Sequence, residues 1–521
     1  MAERSELSRS SAGDRNPWLI AIVVSIATFM LVLDTSIANV ALRHIAGSLA
    51  AGVDESTWVI TTYLIANAVI LPVSGWLSGV IGRKRFYMLC VAVFTVSSLL
   101  CGLATSLPML IFFRILQGLG GGAIIPTSQS VLFSRYPEKQ HGMAGALFAI
   151  GAITGPLLGP TVGGYLVEWS SWHWIFFINV PLGLIAAWIA WTQIEQPAFV
   201  SDRSPVDRFG IALLAVGMVS LQYVLEEGNR NDWFEDRTIF ILAIVAAIAL
   251  VGFVTHELEH EHPVVDLRVF RNRAYAAATA LNFLIGTAIF AGSVLLSLYC
   301  GTILHYRALD IGRVFLMGSW IQLFIFPVVG RLVTKVDPRL LLVVANAGIL
   351  TSLWLNAHLT AEVTTAQVAF PLFVRAIGTG FGFIPLTVLG VASLPPAQRP
   401  GGTALFNLTR ELGASIGTAW MSTMLSRQVK QNFTFITSHV DAYGSLAAEQ
   451  RTLLEHGPGA RLFDPQGAAL AVLNQRIGGQ ALLRAFNNSF LLLAFAFLAA
   501  SLVIVFMRRP QRGGAANAAP H

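Results

Sequence analysis

Residues 151–164 read Gly151-Ala-Ile-Thr-Gly155-Pro156-Leu-Leu-Gly159-Pro160-Thr-Val-Gly163-Gly164. Gly151, Gly155, Gly159 and Gly163 recur every fourth residue, so on a helix they form one smooth stripe. Small residues let a neighbouring helix approach closely in lipid. Pro156 and Pro160 each remove a backbone donor and add kinks. The spacing leaves two readings open: generic tight packing, or a pliable seam between two halves of the molecule.

The surrounding chain is built for lipid. It has 521 residues, of which 55% are hydrophobic and 12% charged, about half the charged share of a soluble domain. Mean hydropathy is +0.66. A soluble protein of this size would expose large apolar patches. The composition excludes an ordinary cytosolic enzyme, a disordered chain and a disulfide scaffold, and points to a polytopic membrane protein. Cys90, Cys101 and Cys300 lie in apolar runs, with no disulfide framework and no CxxC metal pair. The net charge of +6 is explained by basic residues in cytosolic loops, and no nucleic-acid partner is expected. The first apolar run, from Trp18 to about Leu42, is too long for a cleavable signal peptide.

Apolar runs of about 20 residues, enough to cross roughly 30 Å of hydrocarbon, begin near Trp18, Ser56, Phe86, Met109, Ala144, Trp174, Arg208, Thr238, Tyr275, Arg313, Leu340, Gln367, Thr403 and Phe486. That makes fourteen spans, with both termini on one side. Even-numbered loops and both tails hold 19 Lys and Arg, against 5 in the short opposite loops, so both termini are expected in the cytosol. The fold class is all-α: two six-helix bundles with two extra central helices. Expected boundaries are a tail at 1–17, a bundle at 18–194, two inserted helices and their loops at 195–274, a bundle at 275–507 with an outer loop at 426–485, and a tail at 508–521.

An internal echo supports two halves. Arg114-Ile-Leu-Gln-Gly118-Leu-Gly120, with Pro126 later, is matched by Arg375-Ala-Ile-Gly378-Thr-Gly380, with Pro385 later. Gly75-Trp-Leu77 before Arg83-Lys84-Arg85 is matched by Gly330-Arg-Leu332 before Lys335 and Arg339. Internal repeats flanking a midplane site are a transporter signature.

Ionisable residues inside the spans are costly and mark candidate sites. Asp34 and Arg114 enter the bilayer to similar depth and can partner each other. Low dielectric and a nearby guanidinium act on a carboxylate's proton in opposite senses, so Asp34 can exchange a proton as Arg114 moves. The competing reading is a static ion pair. Arg410 and Glu411 adjoin on the thirteenth span and point roughly 100° apart. They are either a local charge pair or the seat of a second proton- or cation-binding carboxylate. Asn39, Gln117, Asn282, Asn407 and Arg410 are candidates to line a substrate cavity. Gly75 and Gly82, with Arg83 and Lys84, form a candidate cytosolic gate loop, against a plain basic loop. His256-Glu257-Leu-Glu259-His260 fits HExxH but lies in a charged stretch at a membrane exit. It is expected to be a solvated loop with no metal. Gly118 to Gly122 lack a following GK[ST], so ATP is not the expected energy source.

The stretch 114–122 resembles motif B of the major facilitator superfamily, and 151–164 resembles its motif C, the antiporter signature. Leu33-Asp34-Thr-Ser-Ile-Ala-Asn39 resembles the first-span motif of the fourteen-span drug:proton antiporters of the EmrB/QacA type. Pro263-Val-Val-Asp266-Leu-Arg268-Val-Phe270 resembles that family's loop before the ninth span. The resemblance runs from about Trp18 to Met507. It implies the major facilitator fold in a bacterial inner membrane, and export of hydrophobic or amphipathic compounds in exchange for protons. It implies no cofactor beyond the proton-motive force. Asp34 and Arg114 become the coupling pair, and Gly155 and Pro156 the hinge; Glu411 joins them as a proton-coupling candidate on its own charge and depth, not through the resemblance. The long outer loop is similar to those of members that work with a periplasmic adaptor and an outer-membrane channel. The alternatives are a dedicated exporter of a fatty acid, siderophore or secondary metabolite, and a membrane sensor or scaffold. The chain departs from the family at Gly79, where an acidic residue is usual, at Arg43, where proline is usual, and at Glu411, where a neutral residue is usual.

Overall fold

A computed structural model describes residues 17–136, 140–194, 207–261, 263–395, 398–439 and 465–501. Among these residues every regular element is helical. Hydrocarbon supplies no hydrogen-bond partners, so a spanning backbone must satisfy itself.

The first bundle comprises α1 (Pro17–Ser48), α2 (Trp58–Ile81), α3 (Arg83–Gly102), α4 (Leu107–Gly121 and Ile124–Arg135), α5 (His141–Trp169) and α6 (Trp174–Phe177 and Asn179–Gln193). The inserted pair is α7 (Arg208–Glu227) and α8 (Arg237–Glu259). The second bundle comprises α9 (Arg273–Thr302), α10 (Ala308–Ser319 and Gln322–Leu332), α11 (Pro338–Asn356), α12 (Thr365–Val391), α13 (Arg399–His439) and α14 (Pro465–Ser501). Side chains cap several starts. Asp236 accepts from the amides of Thr238 and Ile239, at 2.7 and 3.0 Å, and Asn272 from Ala274 at 3.0 Å. Thr364 and Gln367 form a capping box at α12.

Thirteen of these helices are long and apolar enough to cross a membrane. The fourteenth, α13, carries Asn407, Arg410 and Glu411 and is less apolar. It packs against α9, α14, α2, α4 and α7, and polar groups at membrane depth are tolerated where protein encloses them.

The packing repeats. In the first bundle α1 lies on α5, α3 on α4, α2 on α4, and α6 on α1 and α3. Adding eight to each number gives the contacts of the second bundle. The bundles meet where α5 touches α10 and α2 touches α13, a pair of contacts that the same shift exchanges. α7 lies against α2 and α13, and α8 packs on α7.

The glycine stripe is not the seam between the halves. A Cβ on Gly151 would meet the carbonyl of Ser25 at 2.5 Å, one on Gly155 the amide of Leu33 at 2.8 Å, and one on Gly163 the side chain of Ile37 at 3.2 Å. Gly159 faces Ser36. All four partners belong to α1, in the same bundle. Other residues of α5 form the seam. Gly164 meets Leu309, Pro160 lies against Gly312, and Gly142 lies against Gly330. A four-residue period defines a face but not what the face meets.

Helix starts lie close to the apolar boundaries except at the last span. There the helix begins at Pro465, well before Phe486, because helix formation does not require apolar side chains. Likewise α13 continues past Ser426 to His439. The stretch expected as an outer loop at 426–485 is therefore helical at both ends; residues 440–464 lie outside the described residues. His256 and Glu257 are not in a solvated loop either. They form the last turn of α8, with Glu257 fully buried.

Candidate functional site

Four helices place polar groups around one carboxylate on α1, and a fifth packs beside it. Asp34 (α1) and Arg114 (α4) are 2% and 0% exposed. Arg114 Nη1 donates to Asp34 Oδ2 at 2.6 Å and to Gln117 Oε1 at 2.8 Å. Gln117 Nε2 and Asn179 Nδ2 (α6) both donate to Asp34 Oδ1, at 2.9 and 2.8 Å. Asn179 Nδ2 also reaches Ser98 Oγ (α3) at 3.1 Å. Arg114 Nε donates to the carbonyl of Val59 (α2) at 2.9 Å, and its guanidinium lies 4.1 Å from the Tyr63 ring centre. The fifth, α5, meets α1 beside Asp34 through Gly155 and Leu33.

This arrangement has two chemical consequences. Three N–H donors, one of them from the Arg114 guanidinium, occupy the two oxygens of Asp34. Should Asp34 take a proton, Arg114 keeps the Val59 carbonyl, the Gln117 oxygen and the Tyr63 face. The guanidinium is then not left bare, which lowers the cost of separating a buried pair.

The second bundle has the arginine without the carboxylate. Arg375 is buried in α12 and donates to the carbonyl of Ile289 (α9) at 3.3 Å. Its Nη1 lies 3.8 Å from where a Gly292 Cβ would stand. The repeat is therefore preserved in packing and broken in charge.

The expected cavity residues divide. Gln117 belongs wholly to the buried network. Asn282 does not line a cavity: it is buried and donates to the carbonyl of Phe406 at 2.6 Å, fastening α9 to α13. Asn39 is exposed and donates to its own helix at Thr35, 3.0 Å away. Asn407 links the halves through Gln129 Oε1 (α4) at 2.8 Å. Arg410 Nη2 reaches Asn407 Oδ1 at 3.2 Å, with its guanidinium 5.5 Å from the Phe383 ring centre. Phe383 in turn stacks on Phe148 of α5. Glu411 is half-buried and makes no hydrogen bond or ion pair with a described residue.

At the basic face, Gly75 touches α13. A Cβ there would stand 2.8 Å from Gly401 Cα. A Cβ on Gly330 would stand 2.6 Å from the carbonyl of Gly142. The halves thus meet through two glycine–glycine contacts related by the repeat. Gly82 turns the chain with φ 91°, a value glycine alone adopts readily. Lys84 Nζ donates to the carbonyl of Trp191 at 2.7 Å, while Arg83 is exposed. Nothing lies within 4 Å of a Gly79 Cβ. Asn179, Tyr63 and Gln129 were not singled out from sequence; the only available signal was a polar side chain within an apolar run.

Two repeated helical bundles, the first built around a buried charge pair, are the architecture of a membrane transporter. Residues 24–418 match the model of the Major Facilitator Superfamily, and the chain belongs to that family, one of transporters and not of enzymes. It is 35% identical over 498 residues to the multidrug export protein EmrB of Haemophilus influenzae, covering 94% of this chain and 96% of that one. It is 33% identical over 495 residues to the fatty acid resistance protein FarB of Neisseria gonorrhoeae, with 94% and 96% covered. The fold matches the proton:xylose symporter XylE with a TM-score of 0.58 at 14% identity, covering 95% of this chain and 96% of that one.

A double-mutant cycle tests the pair. Asp34→Asn and Arg114→Gln are each expected to lower thermal stability in detergent. The double variant should lose less than the two together, with coupling of about 1–3 kcal/mol. Strict additivity would contradict a direct interaction.

Proposed function

We propose that the chain is a proton-coupled exporter of hydrophobic and amphipathic compounds. In this reading it lies in the bacterial inner membrane with its termini and basic face in the cytosol. The observation that carries the proposal is the buried Asp34–Arg114 pair, whose members sit on different helices of one bundle, while the other bundle keeps an arginine, Arg375, with no carboxylate bonded to it among the described residues. Proton uptake at Asp34 dissolves the ion pair, loosens the tie between α1 and α4, and lets the bundle shift against its partner. The two glycine–glycine contacts at the basic face are where the halves part. No ATP or bound cofactor is required, because each elementary charge is worth about 2.3 kcal/mol per 100 mV of membrane potential.

Glu411 is half-buried and makes no hydrogen bond or ion pair with a described residue, a placement suited to attracting cationic substrates. The similarity to EmrB proteins favours a broad drug range over a dedicated cargo. The FarB relative makes fatty acids the leading alternative.

Proteoliposomes measure this directly. Lipophilic cations or neutral drugs are expected to drive proton release in the wild type, with release abolished in Asp34→Asn. Glu411→Gln should weaken the response to cations at least tenfold and spare neutral compounds. A response confined to fatty acids would support the dedicated exporter. Unchanged proton release in Asp34→Asn would overturn the coupling assignment.

We also propose a periplasmic adaptor and, through it, an outer-membrane channel. With 41 residues, α13 is roughly 60 Å long, about twice the hydrocarbon thickness. Its extension is tied to α14 by Asn432 Nδ2 on the carbonyl of Ala481 at 3.4 Å. This paired projection offers a rigid docking surface. Replacing residues 433–480 by a short linker is expected to abolish co-purification with a co-expressed adaptor while sparing transport in proteoliposomes. Retained co-purification would contradict the assignment.

A further inference from the structure

We infer that the junction of α7 and α8 is a binding site for a divalent transition-metal ion of the zinc class, with Asp207, His256 and His260 as ligands. The three offer ligand atoms that all lie within 4.8 Å of one another. Asp207 comes from the start of α7 and the histidines from the end of α8, so the site joins the ends of the inserted pair.

Local structure prepares each ligand. Asp207 Oδ1 accepts from the amide of Gly210 at 2.9 Å, capping α7. That leaves Oδ2 for a second partner, and His256 Nε2 stands 2.8 Å from it. His256 and His260, one turn apart, present their rings stacked with centres 4.9 Å apart. Phe209 packs edge-on to His256 at 5.2 Å and limits where that ring can turn.

A second observation points to a cation. Glu257 is 0% exposed. Its Oε2 accepts from the amide of Val265 at 3.3 Å, but Oε1 has no protein partner. Oε1 stands 2.9 Å from the space a Gly210 Cβ would occupy, and Asp207 Oδ2 crowds the same space. Two carboxylates thus lie side by side at Gly210, next to the His256 imidazole. A buried carboxylate oxygen without a partner is costly, and a nearby dication offsets that cost. Arg268, the cation packed nearby, directs its Nη2 to the carbonyls of Leu258 and His260 at 3.2 and 3.1 Å.

The donor chemistry selects the metal. Two imidazoles and a carboxylate suit zinc, cobalt, nickel or copper over magnesium or calcium. Three protein ligands leave a fourth position for water. On binding, the metal takes the place of the hydrogen bond between His256 Nε2 and Asp207 Oδ2. This is not the HExxH zinc-protease arrangement: Asp207 replaces a distant third ligand, and Glu257 is buried against Val265 with no open cleft before it. Because α7 packs on α2 and α13, an ion here clamps the inserted pair beside the contact between the halves.

The test uses the tag-free full-length protein in detergent, titrated with Co2+ as a visible probe and then with Zn2+ in competition. One equivalent of Co2+ is expected, with the intense d–d absorption of a tetrahedral centre, displaced by Zn2+. His256→Gln and His260→Gln should each weaken binding at least tenfold. Asp207→Asn, which keeps the helix cap, should do the same. Glu259→Gln, an exposed neighbour, should bind as the wild type does. Size-exclusion profiles establish that each variant is folded. The absence of saturable binding in the wild type, or unchanged affinity in the folded histidine variants, would overturn the site.

Discussion

A carboxylate and a guanidinium held 2.6 Å apart with almost no solvent access constrain the first bundle more than any other contact. Such a pair is stable only if the remaining donors and acceptors are satisfied and the geometry is held. Asp34 and Arg114 draw in Gln117 on α4, Asn179 on α6, Ser98 on α3, and Val59 with Tyr63 on α2, with Nη2 of Arg114 left without a hydrogen-bond partner. The glycine stripe serves the same end. By bringing α5 onto the backbone of α1 beside Asp34, it closes the bundle around the pair.

The second bundle inherits the packing without this constraint. Arg375 remains, facing Gly292 where a carboxylate would complete the symmetry. Polar residues collect instead on α13, the least apolar span, where Asn407 reaches across to Gln129 and Glu411 has no hydrogen bond or ion pair with a described residue. One half thus carries the ionic pair and the other carries the polar side of the interface. The glycine–glycine contacts at the basic face are common to both. This division of labour suits a carrier in which proton and substrate act on the same rocking motion from different sides.

Much of this was legible in the sequence, for identifiable reasons. Hydropathy located the spans because apolar length is what a bilayer demands, and counting residues from each boundary brought Asp34 and Arg114 to one depth. It missed Asn179 and Tyr63, since a single polar residue in an apolar run does not reveal its partner. It misjudged Asn282, whose amide is occupied by the backbone of α13, and it left open whether the glycine stripe packs within a bundle or between the halves, because its partner depends on tertiary packing. The polar ends of α13 and α14 read as loop because hydropathy reports burial in lipid and not helicity. Asp207 and His256 lie 49 residues apart, so the spacing of HExxH carried no information about their meeting.

The central claim is that Asp34 changes protonation during transport. Infrared difference spectroscopy of the reconstituted protein, recorded as substrate binds, observes the protonated-carboxyl stretch directly. The account predicts a substrate-induced carboxyl band in the wild type that is missing in Asp34→Asn and retained in Glu411→Gln. An identical band in Asp34→Asn, or none in a wild type that transports, would show that Asp34 and Arg114 form a static pair and that the proton passes elsewhere.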